Sequence, residues 1–119
     1  MDNLFWKNTY HMESFKKAMD RLEADFSDGY YCSFAYLLSA TGKVDYLLEF
    51  LSRTGISSEE IKEAMKPYSR TEKNMILFAL QLFNNEMSDI TLPDVIAGLD
   101  SSNYKCVLEA IQIRFGKTI

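Results

Sequence analysis

"SRTEKNMILFALQLFNN", residues 69–85, is the stretch on which the fold turns. Ser69 and Glu72 have the N-cap and N3 spacing of a capping box, in which each side chain bonds the other residue's backbone amide. Pro67 ends whatever precedes, because the residue before a proline avoids the helical region. Across residues 75–83 only Gln81 is polar. A helix apolar on all sides belongs in the interior of a bundle. The spacing therefore predicts that residues 69–85 form a central helix wrapped by the other segments.

Those segments also read as helices. In residues 8–26, Phe15, Met19, Leu22 and Phe26 make one apolar stripe, with charged residues opposite. Asp28 or Ser27 caps a second helix ending near Ala40, with Tyr30, Tyr31, Phe34, Leu37 and Leu38 turned inward and Gly42 in the left-handed position after it. Residues 44–53 read as a third helix closed by Gly55. A short fourth helix, about 58–66, starts with a capping box from Ser57 to Glu60. Thr91-Leu92-Pro93-Asp94 opens a brief sixth helix, and Asp100 or Ser101 caps the last, which runs to Phe115 before Gly116. Its stripe is Tyr104, Val107, Leu108, Ile111 and Phe115, and it reads as deeply packed. No segment alternates with period two, so no sheet is expected. The expectation is an all-α, single-domain bundle of six to seven helices over residues 1–119.

Composition supports this and removes several function classes. With 119 residues and 47% hydrophobic content, the chain can bury a core without staples. No apolar run is long enough to span a bilayer, and residues 1–7 lack a signal-peptide pattern, so a cytoplasmic protein is expected. The formal net charge is −4: residues 1–60 hold ten acids and six bases, and residues 61–119 hold seven of each. That balance argues against nucleic-acid binding, which draws most of its affinity from a basic face. It also permits a partner with a basic surface. Residues 58–85 have the spacing of a helix-turn-helix, but the second helix lacks the polar face that a DNA groove requires.

The wording of three segments carries a resemblance. "YLLSATG" (36–42), "FALQLFNN" (78–85) and "LEAIQIRFG" (108–116) resemble signature segments of an uncharacterised family of small helical proteins from Gram-positive bacteria, their phages and mobile elements. The likeness spans most of the chain. Related sequences tend to carry a tryptophan before the basic helix start, where this chain has Pro67-Tyr68. The family has no established catalytic residues, so it implies none. What it implies is a small accessory protein that binds a host protein, for instance to block an antiviral defence such as CRISPR.

The residues that carry chemistry are sparse. His11 is the sole histidine, which excludes multi-histidine metal sites, and it reads as a partly exposed structural residue. Cys32 and Cys106 read as buried free thiols. Asp20, Glu23, Asp25 and Asp28 crowd the end of the first helix, a helix end and a cap, or a corner that meets a basic partner. Trp6, Tyr36, Tyr46 and Phe50 lie off the apolar stripes, and exposed together they would make a partner-binding patch. Lys66, Arg70 and Lys73 surround the helix start at Ser69, where the macrodipole disfavours cations. They are candidates for contact with an anion or an acidic partner. No catalytic residue, cofactor or metal is expected. The function read from the sequence is a non-enzymatic protein-binding module, with a small anionic ligand or nucleotide binder near Ser69, or a structural homo-oligomer, as alternatives.

Overall fold

The structure is a computed structural model and describes residues 3–116. The chain runs through α1 (Thr9–Leu22), α2 (Gly29–Ala40), α3 (Val44–Leu47), a 3-10 turn (Leu48–Phe50), β1 (Leu51–Ser52), β2 (Gly55–Ile56), α4 (Ser58–Ala64), α5 (Arg70–Phe83), α6 (Leu92–Ile96) and α7 (Ser101–Phe115). It is the all-α, single-domain bundle that the patterning predicts. Its axis, however, is α2 rather than residues 69–85. From Gly29 to Ala40 there is no charge, and residues 32–40 are buried without interruption. Helices α1, α5 and α7 all pack on it. The two serines in the buried run are no obstacle, because each hydroxyl donates back to a carbonyl of its own helix. Ser33 reaches Tyr30 O at 3.2 Å, and Ser39 reaches Tyr36 O at 2.8 Å.

Helix α5 is amphipathic instead. Its first turn carries Arg70, Glu72 and Lys73, and burial begins only at Met75. Gln81 is half-buried and accepts the Ile90 N–H at 2.7 Å, tying down the segment that leads to α6. The capping box forms as the spacing requires, with Glu72 N–H donating to Ser69 Oγ at 3.2 Å and Ser69 N–H to Glu72 Oε1 at 3.0 Å. Asn8, Asp28, Thr91 and Asp100 cap α1, α2, α6 and α7 through their side chains. The box expected at Ser57 does not form; the Ser57 side chain makes no cap bond, and its N–H donates to Phe50 O at 2.9 Å.

Several boundaries move. Helix α1 stops at Leu22 because Glu23 turns left-handed (φ 51°), so Phe26 falls in the following turn and is 51% exposed. The expected third helix breaks after one turn. Its remainder becomes the 3-10 turn and the first strand of the antiparallel hairpin β1–β2, in which Leu51 faces Ile56. Gly55 has φ +140°, a conformation for a hairpin and not the left-handed end of a helix. Helix α7 buries Cys106, Val107 and Ala110, while Tyr104 and Phe115 face water.

Residues 4–8 cross the bundle as a strap. Phe5 N–H donates to Glu109 Oε1 at 2.8 Å, and the Tyr36 hydroxyl donates to Phe5 O. Lys7 Nζ donates to Ala40 O at 2.9 Å and to Asn103 Oδ1 at 2.7 Å. Trp6 lies 5.0–5.4 Å, ring centre to ring centre, from His11, Phe15 and Tyr36. Tyr36→Phe keeps the ring but strands the Phe5 carbonyl. It should destabilise the fold by about 1–2 kcal/mol, read as a lower urea midpoint at unchanged slope. An unmoved midpoint would show that the hydroxyl contributes nothing.

Candidate functional site

The first turn of α2, the last turn of α5 and the last turn of α7 meet at one end of the bundle. Gly29 makes the approach possible. A Cβ there would lie 3.1 Å from Ile113 O and 3.2 Å from Arg114 O, both rigid backbone atoms. Arg114 fastens the three helices. Its Nε donates to Leu82 O at 2.8 Å, satisfying a carbonyl that α5 leaves open at its end, and Nη2 donates to Asn85 Oδ1 at 3.2 Å. Its guanidinium carbon sits 3.6 Å from the centre of the Tyr30 ring and 4.8 Å from that of Phe115. Stacking of this kind is favourable on both ring faces.

The rings are held but not covered: Tyr30 is 46% and Phe115 53% exposed. Beside them Tyr31 packs on Phe83 at 5.1 Å, and these two rings line a groove of about 380 Å³. Its opposite wall is the hairpin, with Ser52, Thr54 and Ser57 supplying hydroxyls. The turn that leads into Tyr30 holds Glu23, Asp25 and Asp28. With Asp20 they form no ion pair among the described residues. Asp25 stays ionised well into acid, because the Ser27 N–H donates to its carboxylate at 2.8 Å. The nearest base in sequence, Arg21, is turned away, donating to Leu51 O at 2.9 Å.

The residues singled out from the sequence are dispersed. Tyr36 is fully buried, and Trp6 lies half-buried against it at 5.4 Å, so the two come together inside the fold. Phe50 is half-buried against the core. Tyr46 alone of the four is exposed, at 68%, with Lys43 Nζ 5.5 Å from its ring centre. The expected patch of Trp6, Tyr36, Tyr46 and Phe50 is therefore not a surface; the strap covers Tyr36, whose hydroxyl needs the Phe5 carbonyl. Of the three bases, Lys66 pairs with Glu63 at 2.8 Å. Arg70 lines a groove of about 340 Å³ with Thr71, Asn74 and the acid Asp94. Lys73 makes no ion pair among the described residues. The capping box already occupies the amides of Ser69 and Glu72.

The groups with chemical reactivity lie inside. Burial pushes the Cys32 and Cys106 thiols up to about 11, and both are free and buried. His11, expected at the surface, is 2% exposed, and burial pulls it down to about 4. Among the described residues no three His, Cys, Asp or Glu side chains gather as a metal site, and no helix is long and apolar enough to cross a membrane.

The patterning turns Tyr30 inward with Tyr31 and puts Phe115 on a packed stripe, and the structure leaves both half exposed. The adjacency of the tyrosines is the available signal: neighbours lie about 100° apart on a helix, and Tyr31 takes the place against Phe83. Arg114 has no such signal, since its partners come from sites 29 and 32 residues away. Arg114→Ala should destabilise the protein by about 1.5–3 kcal/mol through the loss of charged hydrogen bonds. Lysine at this position should not restore the loss, because it lacks the planar fork. Gly29→Ala should lower stability by about 1–3 kcal/mol through overpacking. Chemical denaturation of the three variants checks these outcomes; full rescue by lysine would mean that charge alone matters. No protein-family model, curated protein or solved structure matches the chain.

Proposed function

We propose that this protein is a non-catalytic binding module whose aromatic end docks a partner protein carrying basic and apolar side chains. The observation behind this reading is the Tyr30–Arg114–Phe115 stack: two half-exposed rings fixed on a guanidinium that three helices hold in place. Tyr and Arg dominate the energetic centres of protein interfaces. Rings left uncovered on a rigid support supply contact area with little order left to impose. The acids of the α1–α2 turn, which form no ion pair among the described residues, supply the sign of the partner's charge, and opposite charge speeds and orients docking.

The family resemblance adds a setting. A small accessory protein of a phage or mobile element would take a host protein as its partner, and a component of an antiviral defence is the partner class that the resemblance implies. The anionic-ligand reading has less to support it, since the box fills the first amides of α5 and Asp94 stands in the adjoining groove.

Photo-crosslinking tests the proposal. A photoreactive residue replacing Phe115 should capture one discrete host protein, and Tyr30→Ala in the same chain should abolish the capture. The same residue replacing the exposed Glu60, on α4, should capture nothing discrete. Equal capture from both positions, or a product with the mass of two copies of this chain, would sink the reading.

A further inference from the structure

We propose that residues 4–8 are an acid-releasable strap, latched by neutral His11 and freed when that imidazole takes a second proton. The geometry fixes the neutral tautomer. Lys7 N–H donates to His11 Nδ1 at 3.2 Å, so Nδ1 is bare, and Nε2 carries the proton toward Tyr36 O at 3.0 Å. A second proton would land on Nδ1. It would turn the acceptor into a donor facing the Lys7 N–H, and would place a charge in a site that is 2% exposed. The strap bond to His11 would be lost while the helix bond to Tyr36 O remained. The release is therefore directed at residues 4–8 and not at α1.

Among the described residues the other titratable and charged groups around the latch are few, and one of them, Lys105 on α7, has its Nζ 5.4 Å from the Phe5 ring centre. Lys7 lies on the strap, with its ammonium on Ala40 O and Asn103 Oδ1. Tyr10 is on α1 and donates to Asp45 on α3, which also holds Lys17. Tyr36 is on α2, and Cys106 and Glu109 are on α7. Among the described residues Glu109 is the one carboxylate bonded to the strap, through the Phe5 N–H, so its protonation is the competing cause.

The sign follows from the direction of the shift. His11 is held down from 6.5 to about 4 by burial and by the nearby Lys7 ammonium, against the partial support of the Tyr36 carbonyl. A released His11 with its ordinary affinity binds the proton more tightly than a latched one. Latching is thus at full strength above pH 6.5 and weakens as the pH falls toward 4. Complete protonation shifts the balance toward release by about 300-fold.

Trp6 is the only tryptophan in the chain and lies on the strap, 5.0 Å from the His11 ring. Its emission wavelength should move to the red as the pH is lowered from 7 to 3.5, reversibly, while helical circular dichroism holds. Glu109→Gln, which keeps an acceptor for Phe5, should retain this transition, and His11→Gln should lack it. In the unmodified chain, nitrogen shifts of the imidazole should titrate together with loss of exchange protection at the Lys7 amide. That second measurement decides the matter if His11→Gln does not fold. Emission unchanged to pH 3.5, emission that moves only with the helical signal, or a transition abolished by Glu109→Gln would overturn the proposal.

Discussion

The uninterrupted burial of residues 32–40 is the constraint on which the rest of the structure depends. A helix with no face to the solvent must be covered on every side. Three helices, α1, α5 and α7, cannot close around a fourth without leaving a seam, and the strap crosses part of that seam. The polar atoms trapped along α2 then dictate where cover must come from. The serines satisfy themselves within their own helix, but Tyr36 cannot, because its hydroxyl sits at the far end of a buried ring. An unpartnered buried hydroxyl costs free energy that the strap recovers by supplying one carbonyl. Phe5 supplies it.

The same logic runs along the rest of the strap. Lys7 reaches the carbonyl of Ala40, the last residue of α2, where a cation also suits the negative end of the macrodipole. It reaches Asn103 on α7 with the same ammonium, so one side chain joins the end of the central helix to the start of the last. Trp6 fills the space between these polar anchors against Phe15, His11 and Tyr36. His11 thereby loses the solvent that a helix first turn ordinarily provides.

Local chemistry was legible in the sequence, and placement was less so. The cap at Ser69 and the left-handed Gly42 and Gly116 follow from residue type, and of the pairs Ser27 or Asp28 and Asp100 or Ser101 the structure uses Asp28 and Asp100. The choice of central helix did not follow, because freedom from charge, not density of apolar residues, decides which helix can give up every solvent face. Residues 75–83 contain the denser apolar stretch, yet α5 opens on Arg70, Glu72 and Lys73, which bind it to the surface. Helix α2 contains two serines and three tyrosines, but no charged side chain that requires water. The hairpin leaves no sequence signature, because each of its strands is two residues long, too short for any periodicity. The aromatic candidates failed for a related reason. Lying off a stripe indicates exposure only when a helix has a solvent face, and α2 has none between Cys32 and Ala40, so Tyr36 is core.

The exposed rings lie where α2 leaves the bundle. Asp28 caps α2 at the surface, so the next residues, Gly29 and Tyr30, are the first that the bundle can no longer enclose. Gly29 lets α7 come close, and that closeness brings Arg114 onto the Tyr30 ring. Holding the three helix ends requires the two hydrogen bonds of Arg114, which use its Nε and one Nη. It does not require Phe115 to stand 53% exposed against the same guanidinium. A polar residue at 115 would leave the fastening intact and remove apolar surface from water. On the proposed reading that surplus is the function. The stack has already lost its rotational freedom to the fold, so a docking partner meets an ordered platform and forfeits less of its binding free energy to ordering.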